Sequence, residues 1–370
     1  MSNRLRAAQA LPEAVGEETL ADRLAHLIQA HGPISIAHYI SLANAHYYGS
    51  RDPLGRGGDF TTAPEISQMF GELVGLWLAD MQMRSGVREG ASYVELGPGR
   101  GTLAADALRA MAAAVPAPRP HFVEQSPALR ERQRIAVPLA QFHDTADSLP
   151  RSGPILAVAN EFFDALPTRQ FVKLGDDWRE RMVDVAQSPP GAGDRWRFLP
   201  IAGPLSMRAA LPAWPVATED GAIVESSTAS ASAMLSLCQR IAEQGGAALI
   251  IDYGYEGPAV GDTLQAVRQH RFADPFADPG DVDLTTHVDF TLLANCARQC
   301  GLAVHGPVGQ GAFLEALGIG ARAQALVRSR PDRAQEVETA RVRLTDPDQM
   351  GSLFKVLAVR HPDWPVPEGL

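Results

Sequence analysis

No apolar run in this sequence approaches the roughly 20 residues a membrane-spanning helix needs, so no membrane span is expected. Cysteine is scarce. Cys238, Cys296 and Cys300 make no C-x-x-C pair, which excludes a disulfide framework and points to a reducing compartment. Cys296 and Cys300 lie four apart on one face of an expected helix, where packing is the expected role. Neither H-E-x-x-H nor a Cys/His cluster occurs, so no metal site is expected. Positive charge is in the minority. The 33 Lys and Arg stand against 43 Asp and Glu, a net charge of −10, which argues against a general nucleic-acid-binding surface. The first twenty residues hold Arg4 and Arg6, but also Glu13, Glu17 and Glu18, with no apolar h-region. That pattern is neither a signal peptide nor a good transit peptide, and a cytoplasmic protein is expected. Internal repeats and extended low-complexity segments are also lacking.

What the chain does have is Tyr93-Val94-Glu95-Leu96-Gly97-Pro98-Gly99-Arg100-Gly101. A short apolar run ends in three glycines at alternate positions. A helix-compatible segment follows from Thr102 to Met111, and then a second short strand ending in an acid, Phe122-Val123-Glu124. Strand, glycine turn, helix, strand, acid is the grammar of a nucleotide-cofactor site at the carboxyl edge of a parallel sheet. Glycines let the backbone approach the cofactor, and the acid accepts hydrogen bonds from ribose hydroxyls. A dinucleotide site wants G-x-G-x-x-G and a bare helix N-terminus facing a pyrophosphate. Here the spacing is G-x-G-x-G with Glu95 in the strand end. A carboxylate there repels a pyrophosphate and suits a cation bearing an amino group and a sulfonium, which favours S-adenosylmethionine (SAM) over NAD. The competing reading is a glycine turn that merely packs helix on sheet.

With 370 residues and 45% hydrophobic content, the chain has room for one large domain with insertions, or two domains. Residues 19–50 read as helical, and a second amphipathic helix places Ile66, Met69, Phe70, Leu73 and Trp77 inward. Residues 1–90 are therefore expected to form an N-terminal helical layer. Strands are expected at 92–96, 121–124, 155–159, 247–252, 302–306 and 353–360, with helices between several of them. The expected fold is α/β, a doubly wound, mostly parallel sheet over residues 91–370, with its site at the carboxyl ends of the strands. Two insertions interrupt it. Residues 169–222, with Trp178, Trp196, Trp214 and a Ser188-Pro189-Pro190-Gly191 turn, read as β-hairpins. Residues 254–286, rich in Gly, Asp and Pro, read as a long ordered loop.

A second constellation is Asn160-Glu161-Phe162-Phe163-Asp164-Ala165-Leu166-Pro167, following the apolar strand 155–159. This edge is expected opposite the glycine turn, next to a reactive methyl group. Methyl transfer is an in-line displacement at carbon, so the protein chiefly supplies positioning and electrostatics. An arginine acceptor stays charged by itself and must be held by carboxylates. Glu161 is the first choice for that clamp and Asp164 the second, with Phe162 and Phe163 stacking on the guanidinium and excluding water. The competing roles are a turn or helix cap for Asn160, Glu161 and Asp164, and core packing for the phenylalanines. Thr62-Ala63-Pro64-Glu65 fits a capping box with Pro in the first turn; the alternative is that the Asp59–Glu65 segment, preceded by the glycine-rich loop 52–58, folds over the cofactor. Thr286-His287-Val288-Asp289 reads as a helix start, His287 is either a structural residue or a general base, and Tyr253 is a candidate acceptor contact.

Several longer motifs carry a resemblance. They are Gly58-Asp59-Phe60-Thr61-Thr62-Ala63-Pro64-Glu65-Ile66, Glu95 to Leu103, Val123-Glu124-Gln125-Ser126-Pro127, Asn160 to Pro167 and Asp252-Tyr253-Gly254. Thr263 to Val267, His287-Val288-Asp289-Phe290 and Met350 to Val356 complete the set. Together they resemble the MidA-type SAM-dependent methyltransferases, a family that includes a mitochondrial protein arginine methyltransferase needed for assembly of respiratory complex I. The resemblance runs from about residue 30 to 360. It implies a class I methyltransferase fold, SAM as cofactor, and symmetric dimethylation of an arginine in a complex I subunit. Gly97, Gly99 and Gly101 would form the cofactor turn and Glu124 would hold the ribose, with Glu95, Asn160 and Thr62 as further cofactor contacts. The N-terminus lacks an evident mitochondrial presequence, so the chain resembles a bacterial member. A methyltransferase acting on a small molecule or another side chain, and a SAM-binding assembly chaperone, stay open as alternatives, as does the oligomeric state.

Overall fold

The apolar runs expected as strands come together in one eight-stranded sheet. In the computed structural model, which describes residues 18–50, 62–188, 196–207, 211, 218–268 and 271–370, the chain divides into two units. The larger contains residues 54–164, 230–257 and 287–370; the smaller contains residues up to 53, 165–229 and 258–286. The loop 52–58, the segment 59–61, Trp214 and the turn residues 189–191 lie outside the described residues.

In the larger unit the strands, numbered in chain order, are β1 (Ser92–Leu96), β2 (Arg119–Val123), β3 (Gln141–His143), β4 (Ile155–Asn160), β5 (Gly246–Tyr255), β6 (Val288–Asp289), β7 (Ala303–Gly309) and β8 (Phe354–Arg360). Their order is β7-β8-β5-β4-β1-β2-β3, with β6 beside β5. The run from β3 to β5 is parallel throughout. Both β8 on β5 and β7 on β8 are antiparallel. Strands covered on both faces read as continuous apolar runs rather than alternating ones, and β4 is buried at all six positions. This is the expected α/β class with a mostly parallel sheet.

Helices of the same unit are α1 (Ala63–Ile66), α2 (Gln68–Arg84), α3 (Thr102–Ala112), α4 (Pro127–Ala136), α5 (Thr228–Gln244), α6 (Phe290–Gln299), α7 (Gln310–Ala316), α8 (Ile319–Ser329) and α9 (Ala334–Thr345). Leu103, Ala104, Ala107 and Met111 give α3 an apolar stripe at i, i+1, i+4 and i+8 that joins Met69, Phe70, Leu73 and Trp77 of α2 in one core cluster. Each Leu, Met or Phe among them, fully buried, contributes about 1.5–3 kcal/mol. The two helices nearly touch at Gly75. A Cβ there would lie 2.4 Å from the Ala107 carbonyl oxygen and 2.6 Å from its Cα, so no larger residue fits without moving backbone. Glu72, on the same helix, is held by Arg322 of α8 (Nε–Oε2 2.7 Å) and Arg109 of α3 (Nη2–Oε1 3.1 Å). These guanidiniums keep its carboxyl below the usual range against the opposing effect of burial.

The smaller unit corrects the expected division of the chain. The helices Leu20–His31 and Ile36–Ser50 are not in the unit that holds α1 and α2. They belong to the smaller unit, where Ile34–Ser35 is a strand paired with Val183 and Met182. The break at Gly32-Pro33 frees Ile34 and Ser35 to pair as an edge. The first insertion does form antiparallel strands, Arg169–Leu174, Asp177–Gln187 and Trp196–Ser206, with Ile223–Ser226 added against the first. The second is not simply a loop, since Gln265–Arg268, Arg271–Ala273 and Asp283–Thr285 pair as a three-stranded antiparallel sheet. Buried Asn44 supports that sheet by donating to the Leu284 carbonyl at 2.8 Å and accepting from the Leu284 N–H at 3.1 Å.

Among the described residues no helix is long and apolar enough to cross a membrane, and no group of three or more His, Cys, Asp or Glu is arranged to hold a metal ion.

Candidate active site

The glycine turn follows β1 as expected. Gly97, Gly99 and Gly101 have φ of 61°, 54° and 83°, the left-handed region that favours glycine. The Gly97 N–H donates to the Val123 carbonyl at 3.0 Å, and the Gly101 N–H to that of Pro98 at 2.8 Å. A Cβ on Gly97 would sit 2.8 Å from Cδ2 of Phe162. The turn therefore lies against the 160–164 segment, the second constellation. Gly101 then starts α3, and the Thr102 hydroxyl donates to Glu65 at 2.5 Å.

Glu124, just past β2, is held by the Ser126 N–H at 2.8 Å and by the Gln133 side-chain amide at 3.1 Å. The same Gln133 nitrogen donates to the Gly99 carbonyl at 2.7 Å. One fully buried amide on α4 thus ties the acid to the glycine turn. Burial pushes the Glu124 carboxyl upward, against the lowering effect of the Ser126 N–H.

Glu95 departs from the expectation. It is only 2% exposed, its Oε2 accepts from the Tyr93 hydroxyl at 2.6 Å, and burial pushes its carboxyl up to about 8. The negative charge that the sequence places there is therefore suppressed at neutral pH unless a cation pairs with it. Below the usual carboxylate range the group is protonated in both the folded and the unfolded chain. As pH rises toward 8 the unfolded chain gives up the proton while the folded one keeps it, and stability falls across that window. Glu95→Gln is expected to raise the melting temperature of the cofactor-free protein, little at pH 5 and most at pH 8 and above. Differential scanning calorimetry across that range checks it; a gain largest at pH 5 would be the contrary result.

The end of β4 carries the remaining residues. Asn160 is buried, and its Nδ2 donates to Glu161 Oε1 at 3.2 Å. Glu161 has φ of 49°, the one non-glycine residue with positive φ among the described residues. Its Oε1 also accepts from the Ala63 N–H at 3.1 Å. That contact corrects the capping box. Thr62 precedes α1 but makes no side-chain cap, and Glu65 bonds to Thr102 instead. The orphan amide of the helix is met by Glu161, 98 positions away. Thr62, Gly97, Asn160 and Glu161 are thereby brought to one edge, with Gly99 and Glu124 joined through Gln133. Asp164 is buried beside Asp252.

Tyr253 packs edge-on against His287 and Phe354, with ring centroids 5.4 Å apart in both cases. Burial lowers the His287 imidazole below its usual range. The helix starts at the end of the 286–289 motif: Asp289, two residues after His287, caps α6, accepting from the Thr291 and Leu292 N–H groups. Sequence reasoning gave no role to Gln133, Tyr93 or the Asp252 carboxylate: Gln133 and Asp252 find partners on other elements, and Tyr93 meets Glu95, two residues along its own strand.

A parallel sheet with a glycine turn after one strand, an acid after the next and a buried Asn-Glu pair at the edge of a third is the arrangement of an α/β cofactor-dependent transferase. The chain belongs to the family described as "putative S-adenosyl-L-methionine-dependent methyltransferase", whose profile matches residues 73–308. Among its relatives is the "protein arginine methyltransferase NDUFAF7 homolog, mitochondrial" of Drosophila melanogaster, 36% identical over 93% of this chain and 85% of that one. The human "protein arginine methyltransferase NDUFAF7, mitochondrial" is 34% identical over 93% of this chain and 84% of its own length. A crystal structure of a "likely methyl transferase" from Burkholderia thailandensis bound to S-adenosyl-homocysteine superposes with a TM-score of 0.81 at 27% identity, covering 97% of each chain. These relatives correct the cytoplasmic expectation, since the curated ones are named as mitochondrial proteins.

The protein is a SAM-dependent methyltransferase, and its residues fit the cofactor. Asn160 Oδ1 and Gln133 Oε1 are buried acceptors with no hydrogen-bond partner among the described residues. Buried polar atoms rarely go unsatisfied, and SAM carries amino and hydroxyl donors for such acceptors.

Proposed function

We propose that this chain is a protein arginine methyltransferase whose acceptor is an arginine in a subunit of respiratory complex I, dimethylated symmetrically. The names of the relatives support the arginine acceptor, and the motif resemblance supports the complex I subunit. The observation that carries the reading is the Glu161 carboxylate, held by Asn160 and the Ala63 N–H and followed in the chain by Phe162, the phenylalanine that packs on the glycine turn.

In this reading Gly97, Gly99 and Gly101 give the cofactor close access to backbone, and Glu124, fixed by Gln133 and Ser126, accepts from the ribose hydroxyls. Asn160, Glu95 and Thr62 meet the remaining polar groups, with Glu95 ionising as it pairs with a cationic amino group. Bound SAM supplies an electrophilic methyl on a sulfonium. Glu161 receives the guanidinium in a charge-assisted fork, with Asp164 as the second acid of that cluster. A carboxylate offers about four acceptor positions, which suits that fork. Glu161 then turns one guanidinium nitrogen toward the methyl group and takes the proton that nitrogen gives up. Phe162 and Phe163 exclude water from the edge.

The test uses methyl-labelled SAM, the purified full chain and a lysate of cells lacking it. One labelled protein of complex I, yielding symmetric dimethylarginine on hydrolysis, is the expected result. Label confined to small molecules, or to another side chain, would overturn the acceptor assignment.

A further inference from the structure

Four consecutive backbone N–H groups, from Glu161 to Asp164, all donate to the end of one neighbouring strand. Glu161 donates to the Ile251 carbonyl at 2.9 Å. Phe162, Phe163 and Asp164 donate to a single oxygen, Oδ2 of Asp252, at 3.2, 3.0 and 3.3 Å. The other oxygen, Oδ1, accepts from the Tyr253 N–H at 3.0 Å. Asp252 is fully buried, so its acceptor positions are spent on backbone and it is not presented to a macromolecular acceptor.

Three successive N–H groups converge on one carboxyl oxygen, as they do at the first turn of a helix. Glu161 stands immediately before them with a left-handed backbone, at φ of 49°. For a side chain of this type that conformation costs about 1–3 kcal/mol and persists only where surroundings impose it. The φ of residue 161 also sets the direction of its Cβ. The carboxylate that reaches the Ala63 N–H and Asn160 is thus placed by the turn, and the turn is gathered by Asp252.

We infer that Asp252 is a positioning residue that sets the conformation of Glu161, and through it the site of the methyl acceptor. The inference rests on the reading of Glu161 as the acceptor clamp. It predicts that the effects of changing Asp252 and Glu161 on kcat are coupled.

The experiment compares wild type, Asp252→Asn, Asp252→Ala, Glu161→Gln and the double variant Asp252→Asn/Glu161→Gln in the full chain. The readouts are S-adenosylhomocysteine affinity, kcat and KM for an arginine acceptor, and hydrogen exchange of the amides of residues 162–164. Asp252→Asn keeps one acceptor oxygen but sets its new NH2 against backbone donors. It is expected to lower kcat about 100-fold, the cost of a roughly 1 Å misplacement, with cofactor affinity changed less than about 3-fold. Asp252→Ala is expected to lower kcat further; if it does not fold, the Asn variant carries the test. The double variant should be no slower than Glu161→Gln alone, because residues acting as a unit are not additive. Fully multiplicative losses, or unchanged exchange of the three amides in Asp252→Asn, would overturn the inference. Should wild type methylate no arginine, the arginine reading fails by itself. The exchange comparison would still decide the anchoring: faster exchange with cofactor affinity retained supports it, and unchanged exchange overturns it.

Discussion

Glu161→Gln is expected to lower kcat for arginine methylation by about three orders of magnitude, as loss of a preorganised electrostatic contact does in other enzymes. Cofactor affinity should stay within a few-fold of wild type. Gln is isosteric, and its Oε1 can go on accepting from the Ala63 N–H and from Asn160 Nδ2, the two contacts that fix the side chain. What disappears is the charge. An arginine guanidinium is always protonated, so a neutral amide leaves it without a counter-ion at the moment its nitrogen must attack. Steady-state kinetics with S-adenosylhomocysteine calorimetry alongside would check this. A variant that keeps full kcat would show that Glu161 serves only as the cap of α1, the competing role that its hydrogen bonds also fit.

The second large effect falls on cofactor binding. Gly97→Val is expected to weaken S-adenosylhomocysteine affinity by about 100-fold or more, about 2.7 kcal/mol. Two costs add. A β-branched residue at φ of 61° pays about 1–2 kcal/mol for the left-handed conformation. Its Cβ also meets Phe162 Cδ2 at 2.8 Å, so the ring must move, and with it the turn next to Glu161. Titration calorimetry on the folded variant measures the loss. Near-normal affinity would mean that the turn packs helix on sheet without approaching the cofactor.

Both predictions rest on features with different legibility. The glycine turn could be read from spacing alone, because a left-handed backbone after a buried strand favours glycine. The central strands were legible for a similar reason. Continuous apolar runs such as 155–159 and 247–252 belong to strands covered on both faces, and the structure extends them only slightly, to Ile155–Asn160 and Gly246–Tyr255. Short edge strands left no such signal. Gln141–His143 has one apolar residue in three, and Gln265–Arg268 lies in a stretch rich in Gly and Asp, where pairing is fixed by partners rather than by pattern.

Side-chain destinations were the least legible part. Thr62 and Glu65 have the spacing of a capping box, but tertiary partners outcompete the local ones: Glu161 takes the Ala63 amide and Thr102 takes Glu65. Gln133 looks like any polar residue of a charged helix until its amide is seen between Gly99 and Glu124. The Glu95 carboxyl was legible as an acid but not as a neutral one, since only the fold shows how deep it lies.

The left-handed backbone at Glu161 sets durability against turnover at a single position. Glycine would relieve the conformational cost there while deleting the carboxylate, so a lineage selected for heat tolerance alone would drift toward glycine. An acid retained at that position despite its cost would be the mark of continuing demand for methyl transfer. Glycine in a sister chain would mark one that has kept the scaffold and given up the chemistry.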